Sequence, residues 1–553
     1  MLEIDTILVG RTLTLDERGS IEGAVAISGD RIVAVGSEED IVGQGGRARI
    51  LKTDGTIIPG FNDTHAHMDT EGLRTIHASL ETASTIGDVL ERIAALASAT
   101  PKGEWIVTMP VGKPPFYFGG PAALAEGRMP NRHELDRAAP DHPVCILPPS
   151  GYWSLVPCYT ALNSRALALN GLNRTSRPTV PNIDIERDAS GELTGVVVEH
   201  NYPASVHVDL LRAVPRFTDA ERRAALLRSI AAYHSRGTTS VYEGHGCAPA
   251  IIDAYRSIRD AGELTMRVGL VVSPVWTALE EAERSMRDGL SFARGPGTGD
   301  AFLRVSGVFI SYGGDPSAAA VSQAHPDHLG WSCYLQQAND PETFEALCRL
   351  AARHDLRVHT IVIDKLHEIV PILERIDREF TLRGRRWVLE HVSATRAGDL
   401  ARLAPLGVGV TLIPDYHVWK VGTRFFPLSE DERALVSPTR QLSALGVPVA
   451  GGTDNSPCNP LASMRAMITR RERTTTAVIG AAGCADADLA LRAMTCNGAW
   501  FTFEETLKGR IEPGFLADIA VLSGNPLATP AEELESLACL ATMVGGRFVH
   551  GGL

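Results

Sequence analysis

Short alternating runs of apolar and polar residues fill the first sixty positions: DTILVG, RTLTLDERGSI, GAVAISGDRIVAVG and ARILKTDGTIIPG. Side chains two apart on a strand share a face, so such β-branched runs predict antiparallel strands joined at Gly-Asp and Asp-Gly turns. The same style returns at the end, in GRIEPGFLADIAVLSGNPL and ATMVGGRFVHGGL. Segments 1–58 and 510–553 are therefore expected to build one small β-sandwich domain from both termini.

Between those flanks, apolar runs alternate with amphipathic stretches rich in Ala, Leu and Arg, the pattern of parallel strands joined by crossover helices. Eight strands are expected, at 59–67, 238–245, 266–274, 303–314, 356–364, 385–392, 406–414 and 445–454. Eight is the number that closes an α/β barrel of the (β/α)8, or TIM, type. The barrel domain is expected over 59–509. The stretch between its first two strands is far too long for one crossover, so a long insertion is expected over about 70–230. It contains ETASTIGDVLERIAALASA, KPPFYFGGPAAL and a helix in TDAERRAALLRSIAAYHSRG.

The chemistry gathers at strand ends. His65 and His67 close the first strand on one face, His359 lies in the fifth, His391 in the sixth and Asp454 in the eighth. Parallel strands of a barrel all end on one rim, so these five side chains can converge there. Taken singly, each histidine has the plainer reading of a solvated or backbone-paired residue. Together they suit Zn2+, or less selectively Mn, Fe or Ni. Asp454 beside such a cation is the expected catalytic base and acid. His245, Tyr312 and His417 lie near strand ends as candidate substrate-binding or oxyanion-stabilising groups. Tyr152 and Trp153, with Phe116–118 and the aromatic residues at 416–426, are expected to wall an apolar pocket.

Composition narrows the alternatives. The chain has 553 residues, 44% of them hydrophobic and 22% charged, with a net charge of −13, which disfavours a nucleic-acid partner. Nine scattered cysteines without a CxxC pair, no apolar run of membrane length and no basic leader point to a cytoplasmic protein. GGTD and YGGD lack the spacings of phosphate-binding loops, and no G-x-S-x-G elbow supports a serine hydrolase.

PGFNDTHAH, His359, LEHV with His391, GGTDNSP with Asp454, the following NPLASMRAMITR and the closing TCNGAWFTFEETLKGRIEPGFLADIAVL resemble the amidohydrolase superfamily, in its amidohydrolase-3 or YtcJ-like branch. The resemblance spans nearly the whole chain. It implies a distorted TIM barrel with a composite β-sandwich and metal-dependent hydrolysis of amide or related bonds in a small molecule. It further implies His65, His67, His359 and His391 as metal ligands, Asp454 as ligand and proton shuttle, and a homodimer. Two features depart from the family. Many members carry a metal-bridging lysine on the fourth strand, where this chain has Phe309, so one ion is favoured over two. Glu243, ending the second strand, stands either as a substitute ligand or as an acceptor that orients a ligand histidine. Gly151-Tyr152-Trp153-Ser154 replaces the usual Gly-His-Ser segment, which points to a different substrate. The expected reaction is cleavage of an amide, N-acyl or N-formyl C–N bond in a hydrophobic or aryl-bearing molecule. The alternatives are a deaminase of an amino-heterocycle at the same site, a metal-dependent lyase or decarboxylase, and a non-catalytic binding protein.

Overall fold

The computed structural model describes residues 4–553; residues 1–3 of the expected terminal domain lie outside it. Eight parallel strands form one curved sheet: β1 (Phe61–Ala66), β2 (Thr238–Glu243), β3 (Arg267–Val272), β4 (Leu303–Phe309), β5 (Val358–Ile361), β6 (Val388–Glu390), β7 (Gly409–Leu412) and β8 (Val449–Gly451). Each pairs with its neighbour in chain order. β8 returns to β1 through Thr64 Oγ1 donating to Gly451 O at 3.0 Å and Asp454 N donating to His65 O at 2.8 Å. The result is a nearly closed, distorted TIM barrel. All six residues of β1, β2 and β3 are buried, as a sheet covered on both faces requires. Tyr242, Val271 and Phe309 pack together from β2, β3 and β4, with Ile361 of β5 against them.

The crossover helices earn their place by amphipathicity. Leu366–Phe380, after β5, buries Leu366, Ile369, Val370, Ile372, Leu373 and Ile376, a stripe at the helical period. Pro341–Arg353 starts at Asp340, whose side chain accepts from Thr343 N, with Pro341 in the first turn.

Strands from both termini share a single seven-stranded sheet. Thr6–Leu13, Ile21–Ser28, Arg31–Gly36 and Arg49–Pro59 come from the N-terminal side, and Ile519–Leu522, Cys539–Val544 and Arg547–Gly551 from the C-terminal side. Period-two alternation sorts their side chains. Leu8, Val25 and Ile27 join Ile57, Ile519, Val521 and Met543 in one cluster. Ile7, Val9, Ala24 and Ala26 join Ile41 of the helix Glu38–Gln44 in another. The Gly29-Asp30 step makes the expected tight hairpin, with Ser28 opposite Arg31 and Gly29 at φ +57. Asp54-Gly55 does not turn. It lies inside the long strand Arg49–Pro59, where the register against Thr6–Leu13 shifts and the chain bulges.

The chain divides into two compact units. Barrel and terminal sheet belong to the first, with Leu227–Tyr312 and Asn339–Leu553 inside it. The second comprises Asp69–Leu226 and Gly313–Ala338. It holds a six-stranded sheet, in spatial order Ile183–Arg187, Leu193–Glu199, Cys158–Leu162, Val144–Ile146, Ile106–Val111 and Ala78–Leu80. The insertion expected over 70–230 thus gains a second segment from beyond β4. Trp331 shows why: it packs in the same core as Leu73, Trp153 and Val206, and its indole N–H donates to Pro148 O at 2.9 Å. Among the described residues, no helix is long and apolar enough to cross a membrane.

Candidate metal centre

The end of β1 is built to present two imidazoles. Asp63, two residues before His65, accepts from the His65 and Thr453 amides at 3.1 and 3.0 Å and from the Thr453 hydroxyl at 2.5 Å. Those bonds tie the rim of β8 to the rim of β1. Gly452 makes the approach feasible, since a Cβ there would lie 2.4 Å from His65 Cβ. Asn455 then clamps His67 through both backbone groups, accepting from its N–H at 3.1 Å and donating to its carbonyl. Several rim residues adopt the left-handed backbone region that non-glycine residues rarely occupy: His245 at φ +59, His391 at +54, Asp454 at +50 and Asn455 at +54. Strain of this kind concentrates where a fold must aim functional side chains.

His65, His245, His391 and Asp454 each offer a donor atom, and these four atoms lie within 4.8 Å of one another, all from buried residues. The Nε2 atoms of His65 and His391 are 3.0 Å apart. The Asp454 carboxylate is 3.8 Å from His65 Nε2 and 3.9 Å from His391 Nε2. A cation bonded tetrahedrally at 2.0–2.1 Å separates its ligands by about 3.3 Å, so these spacings suit a shared ion. Burial, then repulsion from His391 and His245, holds the His65 pKa well below its ordinary value; burial brings His391 to about 4. Neutral imidazoles keep the lone pair that a metal needs. Burial opposes ionisation of Asp454, yet His391 and His67 outweigh it and keep the carboxylate well below the usual range. Its Oδ2 is buried without a hydrogen-bond partner among the described residues, a costly arrangement that a cation or a substrate proton relieves. The residues present therefore fit a divalent cation.

The other expected site residues divide. His67 Nε2 lies 3.1 Å from Asp454 Oδ1, and its Nδ1 is 3.9 Å from Glu243 Oε2. Glu243 Oε1 accepts from the Met68 amide at 3.1 Å and from the Tyr255 hydroxyl, so this carboxylate backs His67. His359 does not join the cluster. Its Nδ1 is 2.9 Å from Glu390 Oε1 and its Nε2 is 3.0 Å from Tyr242 Oη. Burial and the Arg357 charge bring its pKa to about 4. His245, expected as a substrate contact, instead contributes a donor to the cluster. His417 is fully buried 5.6 Å from the His391 ring, with no hydrogen-bond partner for either ring nitrogen among the described residues. Tyr312 turns elsewhere: its hydroxyl donates to Glu368 Oε2 at 2.7 Å and its ring packs on Phe344. Tyr152 and Trp153 belong to the second unit, where Trp153 meets Trp331 edge-on under the Arg74 guanidinium and Tyr152 faces Tyr202. Phe309 is 1% exposed in the apolar barrel cluster.

Glu390 escaped the reading of the sequence, although it directly precedes His391. It accepts from the His245 amide at 3.1 Å, and the same Oε2 lies 3.4 Å from His245 Nδ1 and 4.0 Å from His65 Nδ1. The local signal was faint: an acidic residue inside an apolar strand, where an ion is almost never buried without partners.

Known proteins agree with this architecture. Residues 53–550 match the Amidohydrolase family. N-substituted formamide deformylase of Arthrobacter pascens is 26% identical over 556 residues, covering 96% of each chain. The putative amidohydrolase YtcJ of Bacillus subtilis is 24% identical, covering 98% of each. An uncharacterised metal-dependent hydrolase from Pyrococcus horikoshii superposes with a TM-score of 0.68 at 19% identity, over 95% of this chain and 99% of its own. Because the family match takes in every barrel strand and the C-terminal strands of the terminal sheet, the chain belongs to the amidohydrolase family, in its amidohydrolase-3 branch, and is a metal-dependent hydrolase of carbon–nitrogen bonds.

Proposed function

We propose that this enzyme hydrolyses an amide-type bond of the N-formyl or N-acyl kind in a small molecule, with one divalent cation held by His65, His245, His391 and Asp454. Zinc is the cation that imidazoles and one carboxylate suit best. The observation that carries the reading is the Asp454 carboxylate: ionised by its histidine neighbours, next to the three imidazole donors, with one oxygen unpartnered among the described residues.

When bound, the cation supplies Lewis acidity, which polarises a carbonyl and acidifies water. Asp454 then moves the proton. Its Oδ2 accepts it from the attacking water and hands it to the leaving nitrogen, serving as base and then acid. His67, 3.1 Å from Oδ1, fixes the carboxylate while Oδ2 works. His417 is the group we assign to the substrate oxygen, donating a hydrogen bond as negative charge grows there. The formamide-cleaving relative supports the N-formyl end of the substrate range.

The test is a screen of the metal-replete enzyme against N-aryl and N-alkyl formamides, larger amides, lactams and amino-heterocycles, reading out free amine, formate and ammonia. Amine release from formamides or amides is the expected result. Ammonia from amino-heterocycles alone would make the enzyme a deaminase.

A further inference from the structure

His417 reaches the site from beyond the end of β7, on a turn of uncommon shape. Asp415–Lys420 follows Pro414 as a single turn of π-helix, with Val421 N donating to Tyr416 O at 3.0 Å. Isolated π-turns are rare and recur at functional sites. Residues four apart in a helical turn share a face, and the residue midway between them points away from it. Asp415 and Trp419 are such a pair, and His417 is the residue between them. The pair sits on the helix Pro460–Thr469. There the Ser463 hydroxyl donates to Asp415 Oδ2 at 2.6 Å, with both residues fully buried, and the Arg465 guanidinium lies 5.7 Å from the Trp419 ring centroid. His417 faces the other way, toward His391, with ring centroids 5.6 Å apart.

The helix that receives this turn continues directly from the loop of Asp454. Ser456 N donates to Thr453 O at 2.9 Å, and the helix starts at Asn459, whose side chain accepts from Leu461 N at 3.2 Å. Pro460, Leu461, Ala462, Ser463 and Met464 are all buried, so Ser463 is presented from a fixed place. Arg465 is anchored in its turn, donating to Glu535 Oε1 at 2.6 Å. The Asp415–Ser463 bond thus joins the loop that carries His417 to the loop that carries Asp454. Keeping it has a cost: Asp415 Oδ1 is buried without a hydrogen-bond partner among the described residues, an unfavourable state for an acceptor.

We infer that Asp415 and Ser463 are positioning residues for His417: their hydrogen bond sets where the imidazole stands relative to Asp454. The inference rests on the proposed role of His417 at the substrate oxygen and names the contact that fixes its place. Removing one donor to a developing oxyanion lowers kcat by about 10^2 to 10^3, and misplacing a group by about 1 Å can cost on the order of a hundredfold.

The experiment measures kcat of the metal-replete enzyme on N-phenylformamide, or on the amide that the substrate screen returns, beside the nitrogen NMR signals of the His417 imidazole. Ser463→Ala, Asp415→Ala and Asp415→Asn are made alone and with His417→Phe, which keeps a ring but no donor. Ser463→Ala is expected to lower kcat about tenfold at unchanged metal content. Asp415→Asn, which keeps an acceptor oxygen for Ser463, should lose far less than Asp415→Ala. Added to His417→Phe, Ser463→Ala should cost less than about twofold more, because its effect runs through the imidazole; a merely structural bond would cost the same in both backgrounds. The His417 signals, identified by their loss in His417→Phe, should shift in Ser463→Ala, while those of His234, bonded to Thr238 O and the Thr265 hydroxyl, stay in place and report an intact fold. Where Asp415→Ala does not fold, Ser463→Ala and Asp415→Asn carry the test. Wild-type kcat in Ser463→Ala, unmoved His417 signals, or an undiminished further loss in the His417→Phe background would overturn the inference. Wild type that turns over no amide would instead overturn the proposed function, and the His417 signals alone would then decide the inference.

Discussion

His65 and His391 are 326 residues apart in the chain, yet their Nε2 atoms face each other at 3.0 Å in a buried site. Two neutral imidazoles so close share a direction in which a positive charge is welcome. His65→Ala is therefore expected to lower metal occupancy to a small fraction of one ion per chain. Elemental analysis of the purified variant checks this, and a fully occupied variant would remove His65 from the ligand set.

Asp454 separates binding from turnover. Asp454→Asn keeps an oxygen facing the imidazoles but cannot take up a proton, so the ion should remain while kcat falls by about 10^2 to 10^4. Metal content and steady-state kinetics on one preparation decide it. Undiminished kcat would end the proton-shuttle role.

Gly244 is required by contact. A methyl group there would meet His65 Cε1 at 2.2 Å and Nδ1 at 2.4 Å. Overpacking of this severity typically costs about 1–3 kcal/mol, and here the side chain that must yield is a proposed ligand. Gly244→Ala should lower both the melting temperature and metal occupancy, whereas Gly398→Ala, with open space around its Cβ and no left-handed backbone, should leave occupancy unchanged.

The eight barrel strands are legible in the sequence because strands buried on both faces read as runs of Val, Ile and Leu with polar ends. His65, His67, His391 and Asp454 are legible for the same reason, since a strand's last residues fall on the common rim. His359 is not. Its place on β5 was readable, but its ring direction is set by Tyr242 on β2 and Glu390 on β6, which no local pattern announces. His245 errs the other way. It lies past the end of β2, where strand periodicity no longer applies, and only the glycines on either side hint at its turned backbone. Asp54-Gly55 looks like a turn, yet pairing on both sides of Arg49–Pro59 absorbs it as a bulge.

Glu199 makes stability depend on pH. It is buried in the second unit, accepting from the Ser205 and Val206 amides at 2.8 and 3.2 Å. Burial outweighs those bonds and pushes its pKa up to about 8. The folded chain keeps this proton where the unfolded chain has lost it, so the contribution is whole below about pH 4.5 and drains away as pH rises to about 8. Glu199→Gln is neutral throughout and retains the acceptor oxygen. Relative to the variant, wild type should lose about 3–4 kcal/mol between pH 5 and pH 8. Melting curves of both proteins across that range test the sign.

Phe309 decides how far the family's two-metal arrangement can be restored. The resemblance to the family puts the bridging lysine at this fourth-strand position, and Phe309 there is 1% exposed and packed with Tyr242, Val271 and Ile361. Replacing it with lysine would place an ammonium among apolar side chains and remove the ring that fills the space, each a recognised cause of large destabilisation. Phe309→Lys should therefore lose about 3 kcal/mol or more and still bind no second ion. Metal titration of the variant beside its melting curve is the measurement. A stable protein holding two ions would mean that the barrel tolerates the lysine and that Phe309 alone sets the metal count.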